Sequence, residues 1–143
     1  VPTSTVINTQ HGYSTDETDE FIAYCWHNVD GLQKVGKYIS NNNSNGPMVY
    51  TGFRPCQVVL RIDGSDSWHI FDNKRDPYNG IASRIFWNSA SAQGTSVFLD
   101  FLADGFKLRT NDSGVNGSSG TNYYFIAWAD QSPGPYGAQP NAY

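Results

Sequence analysis

Charge is scarce in this chain. Only 15% of its 143 residues are Asp, Glu, Lys or Arg, and the formal net charge is −4. The nine cationic side chains are scattered along the sequence. A nucleic-acid surface needs clustered cations to displace condensed counterions, so no nucleic-acid partner is expected. No apolar run approaches the roughly 20 residues of a membrane-spanning helix, and Val1-Pro2-Thr3-Ser4 lacks the charged-then-apolar layout of a signal peptide. Membrane insertion is therefore not expected. Methionine occurs once and does not open the chain, which points to processing or to a piece of something longer. Two cysteines, Cys25 and Cys56, are too few for a disulfide framework. Both sit in strand-like runs and read as buried thiols, with a single bridge as the alternative.

What the chain does have is rings and turn residues. Aromatics make up 15%, and Gly, Ser, Asn and Thr each outnumber Leu. That balance favours short strands joined by many turns. Strand-like runs recur at 20–26, 32–39, 47–53, 56–62, 68–72, 83–88, 97–102, 106–110 and 123–129. In 56–62, Cys56, Val58, Leu60 and Ile62 share one face and Gln57 and Arg61 the other. Phe106-Lys107-Leu108-Arg109 alternates as a strand with one wet face. The Asn/Ser tract at 40–47 reads as an exposed loop, and 63–67 as a hairpin connection. No helical period is sustained. The expected fold is an all-β antiparallel sandwich, jelly-roll-like, of about eight or more short strands.

One internal echo stands out. Phe21-Ile22-Ala23-Tyr24-Cys25-Trp26 resembles Phe125-Ile126-Ala127-Trp128-Ala129-Asp130. A separation of about one domain suggests that 1–31 carries the closing strand of a preceding repeat, packed into the same domain. Residues 32–131 then form the main sandwich and 132–143 a Pro/Gly-rich arm.

Catalytic chemistry finds little footing. His11, His27 and His69 show no metal-ligand spacing, so no metal or cofactor is expected. His69, between Trp68 and Ile70, is expected to face solvent or a sheet neighbour. The acidic run 16–20 reads as a solvated turn rather than a glycosidase pair, and 63–66 as a tight turn rather than a calcium loop. Three Asn-x-Ser sites, beginning at Asn42, Asn111 and Asn116, arise freely from this composition. What remains is a β scaffold with exposed rings and amides, the chemistry that stacks on sugar faces and bonds to hydroxyls. Trp68, Trp87 and Tyr136 are the candidate ligand contacts. Lys74-Arg75-Asp76-Pro77 reads as a corner in which Arg75 and Asp76 pair or hold loop carbonyls. Arg54 and Arg75 join the candidate binding residues.

Five runs carry a resemblance: 21–26, 46–55, 68–79, 101–109 and 120–130. In order and at similar spacing, they resemble an uncharacterised β-sandwich domain family of tail-fibre and other virion proteins in marine tailed phages. The resemblance covers residues 20–130 and implies a virion location, assembled in the host cytoplasm, with other virion proteins as partners. It implies tandem units and a homo-oligomer, a trimer being one option, and it supplies no catalytic residues. The expected function is a non-enzymatic tail-fibre or tail-tip domain that recognises the host surface, with glycan as the ligand. The alternatives are a capsid decoration or head-fibre protein without a ligand, a cellular lectin or adhesin, and a depolymerase.

Overall fold

The structure is a computed structural model and describes residues 24–64 and 66–130. Eight strands form two antiparallel sheets: β1 (Gln33–Ile39), β2 (Met48–Tyr50), β3 (Pro55–Ile62), β4 (His69–Asp72), β5 (Ile85–Phe86), β6 (Leu99–Leu102), β7 (Gly105–Leu108) and β8 (Asn122–Ala129). The larger sheet runs β1-β8-β3-β4-β5 and the smaller β2-β7-β6. The expected all-β sandwich is the fold. Each strand answers one of the strand-like runs, with ends moved by a few residues. The run at 20–26 is the exception. Its first residues lie outside the described residues, and Tyr24, Cys25 and Trp26 are exposed and not in a strand.

The core lies between the sheets because period-two alternation aims one face of every strand at the other layer. From the larger sheet come Tyr38, Val58, Leu60, Phe71, Tyr123, Phe125 and Ala127; from the smaller come Val49, Leu99, Phe101, Phe106 and Leu108. Rings meet edge to face: Phe106 stands 5.5 Å from Phe125 at 77° and 6.2 Å from Tyr38 at 83°. Gly36 is paired with Phe125 across the β1–β8 ladder. A Cβ there would stand 2.8 Å from the Phe125 ring, so only glycine lets that ring lie across β1. The edges are managed as well. β5 has two residues, and β1 carries Lys34 and Lys37.

The long polar loops are held by their own side chains. Asn43 and Asn45 donate backbone N–H to the side-chain oxygens of Asn41 and Asn43, which curls 41–45. The loop is exposed, as expected, but it is pinned to the body by the buried Asn116. That amide nitrogen lies 2.8–3.0 Å from Thr110 O, Asn43 O and Asn41 Oδ1, while its oxygen accepts the Asn41 N–H. Full burial also removes Asn116 as a glycan acceptor in the folded chain.

Several sequence expectations change. Cys25 is an exposed free thiol rather than a buried one, and it lies outside any strand. Cys56 is free and half-buried. Pairing with β8 jumps from Pro55 to Gln57, so Cys56 sits in a bulge and leaves the alternation begun at Val58. Burial, then the nearby Asp130 carboxylate, raises its thiol pKa and disfavours the thiolate. His69, by contrast, takes the second of its expected settings: it is buried against its sheet neighbour Phe86, 5.2 Å away and edge-on. Arg75 and Asp76 do not pair with each other. Arg75 bonds Asp72 and the Ile70 carbonyl, and Asp76 accepts the N–H groups of Ala82 and Ser83.

Candidate functional site

The outward face of the larger sheet carries a second, smaller apolar cluster, and its order follows from register. Ile126 stands opposite Val35 on one side and Val59 on the other; Val59 faces Ile70, and Ile70 faces Ile85. Directly opposed residues point to the same side, so an aliphatic row crosses all five strands. The smaller sheet packs on the other side, yet Val59 is only 1% exposed. Trp68 and Trp128 are packed against it.

The next row along the strands has a different chemistry. Tyr124 is opposed by Lys37 on β1 and by Arg61 on β3. Continuing the β3–β4 and β4–β5 registers adds Trp68 and Trp87. The Arg61 guanidinium lies 4.9 Å over the Trp68 ring, and the Trp68 and Trp87 rings are 5.9 Å apart at 40°. Two backbone links brace this end: Trp87 donates its N–H to the Trp68 carbonyl at 3.2 Å, and Trp68 donates its own to the Asn88 side chain at 3.0 Å. Arg61 is oriented by the Asp66 and Gly64 carbonyls, each at 3.3 Å. Cation–aromatic contact of this kind contributes about 0.5–1 kcal/mol at an exposed site. Trp87 remains 49% exposed and Tyr124 46%. The arrangement is a shallow, ring-lined shelf on a rigid sheet.

The comparisons with known proteins place the chain without assigning it an activity. Residues 1–133 match DUF7483, a domain of unknown function. The chain belongs to that family. No curated protein and no solved structure matches it.

Of the five residues singled out in this DUF7483 domain from sequence, the fold brings Trp68 and Trp87 together. Arg75 lies at the opposite end of β4, its Nε 2.6 Å from Asp72 Oδ2. Burial would raise the Asp72 carboxyl, but the Arg75 side chain and the Arg75 and Lys74 N–H groups hold it below its ordinary value. Arg54 precedes β3, at the end remote from Arg61, where its carbonyl accepts the Asp130 N–H. Tyr136 lies outside the described residues. Lys37, Arg61, Tyr124 and Trp128 were not singled out. Parity could have found three of them: Tyr124 and Trp128 alternate with the core-facing Tyr123, Phe125 and Ala127, and Arg61 with Leu60.

Two other places in the DUF7483 domain hold polar groups. A hollow of about 260 Å³ between the start of β1 and the end of β2 is lined in part by Asp30, Gln33, Lys34, Tyr50 and Thr51. Gln33 is already committed to His27 O and Trp128 Nε1, and Thr51 to Phe53 O. Around His69, Arg84 bonds Asp112 at 2.9 Å and Asp66 Oδ2 stands 3.8 Å from the imidazole Nε2. His69 itself is buried against Phe86 and Gly114, and the charged groups around it are committed to one another. Among the described residues, no three His, Cys, Asp or Glu side chains converge as metal ligands. The shelf is the surface best built to meet a ligand.

Proposed function

We propose that this chain is a non-catalytic binding module of a phage virion, in a tail fibre or tail tip, and that it holds host-surface glycan on the outward face of its larger sheet. One observation carries the binding part: the Trp68–Trp87 pair, braced by backbone bonds and flanked by Arg61, leaves one indole half-exposed on a rigid sheet. Sugars bind through stacking of their C–H faces on rings and through hydroxyls on neighbouring amides and cations. Gln57 supplies an amide on the same face, two rows along the strands. The virion part rests on the resemblance of residues 20–130 to tail-fibre domains.

Immunogold labelling of virions with an antibody raised against the chain tests the location. Gold on the tail or its fibres supports the reading. Gold over the head replaces it with a capsid-surface role. For the face itself, a soluble Trp87→Ala variant is expected to lose at least tenfold in binding to host cells while melting like the parent. Unchanged cell binding would remove the shelf from the proposal.

A further inference from the structure

The row that carries the rings is also the row that carries uncommitted positive charge. Lys37 and Arg61 flank Tyr124 on either side, and Trp68 and Trp87 follow, giving the sequence cation, ring, cation, ring, ring across five strands. At about 4.8 Å per strand the row spans about 19 Å, long enough for several residues of an extended chain. Two cations stand on it, in a protein whose net charge is −4.

Three of the other cations are neutralised by carboxylates. Arg75 is paired with Asp72, Arg84 with Asp112 and Arg109 with Asp100. Among the described residues, no carboxylate stands within ion-pair distance of Lys37 or Arg61. Asp66, in the turn after β3, turns its carboxylate toward His69 and offers Arg61 its backbone oxygen. Among the described residues, the guanidinium is therefore positioned by neutral carbonyls and by the Trp68 ring, with no carboxylate against it.

A planar fork fixed over an indole and left without a counter-charge matches a carboxylate or sulfate on a sugar ring. On the reading that this shelf binds glycan, we infer that its ligand is an acidic polysaccharide, a polymer bearing uronate or sulfate groups. Lys37 and Arg61 take the anionic groups, and Tyr124, Trp68 and Trp87 take the sugar faces between and beside them. Neutral glycans would stack on the rings but leave both cations without a partner.

Polygalacturonate and its fully methyl-esterified form share one backbone and differ in charge, so affinity electrophoresis of the whole chain in gels containing each polymer separates charge from stacking. Hyaluronate and neutral dextran serve as a second acidic and neutral pair. The expected result is retardation by the acidic polymers at least tenfold stronger than by the neutral ones, weakened by raised salt. Lys37→Gln and Arg61→Gln should each remove most of it. Lys37 is exposed on an edge strand, so that variant keeps the test meaningful even where Arg61→Gln disturbs the sheet. Equal retardation by charged and neutral polymers would overturn the acidic assignment and leave the glycan reading standing. Retardation that survives Trp87→Ala but not Lys37→Gln would mark simple polyanion attraction and overturn the glycan reading of the shelf. Retardation by none of the four polymers would overturn both.

Discussion

The two faces of the larger sheet bury apolar side chains by different means. On the inner face, Val58, Leu60, Phe125 and Ala127 are closed off by the second sheet, through the rings of Phe101 and Phe106. On the outer face, Val59, Ile70 and Ile126 are just as secluded, but their cover consists of single side chains, Trp68 and Trp128. A sheet-on-sheet core is cooperative, since every residue loses its neighbours together. A row roofed by indoles is modular, and a ring can leave or meet a ligand without opening the domain.

This contrast can be broken in stages. Phe106→Ala, at the centre of the inner core, should cost about 3–5 kcal/mol and show as a large drop in the urea midpoint. Gly114→Ala comes next. Its methyl would stand 2.3 Å from His69 Cε1, so the loop must shift, at about 1–3 kcal/mol in the same unfolding measurement. Trp68→Ala should lose about 1 kcal/mol, because the ring is only part-buried and its neighbours stay in place. A cost equal to that of Phe106→Ala would mean that the outer row belongs to the same cooperative core. Smaller again is a dependence on pH. Burial and the Arg84 guanidinium push His69 below its ordinary 6.5, against the weaker pull of Asp66 and Asp112. The unfolded chain then takes up the proton first, so stability is complete above pH 6.5 and falls as pH drops through the lowered folded value. Melting temperatures across that window should show the fall in the parent and not in His69→Gln. Trp87→Ala closes the series, with a stability change within about 0.5 kcal/mol.

Much of the sandwich was legible because alternation is local. The spacing of Val58, Leu60 and Ile62, or of Phe106 and Leu108, needs no knowledge of the partner strand. The shelf was less legible because it is made by register. Trp68 and Trp87 were singled out as rings, but their contact depends on how β4 meets β5. Arg61 becomes part of the shelf only where β3 aligns with β4 and β8. Cys56 was misread because a bulge shifts the pairing, an event that leaves no periodic trace. Cys25 was misread because aromatic and branched residues satisfy strand propensity, while burial depends on finding a ladder, and Tyr24, Cys25 and Trp26 have none. The burial of Asn116 was invisible in a tract of Asn, Asp, Gly and Ser broken only by Val115.

The position of β8 has a consequence for how the chain comes into being. It is the seam of the larger sheet, with β1 on one side and β3 on the other. Until a ribosome has made it, β1 has no ladder at all, and β3 offers a bare hydrogen-bonding edge and a naked apolar face. Contacts reaching from residue 33 to residue 128 are slow to close, and the waiting intermediate is the species that aggregates. A translation stall anywhere before residue 122 would therefore yield a sticky half-sheet rather than a smaller stable domain.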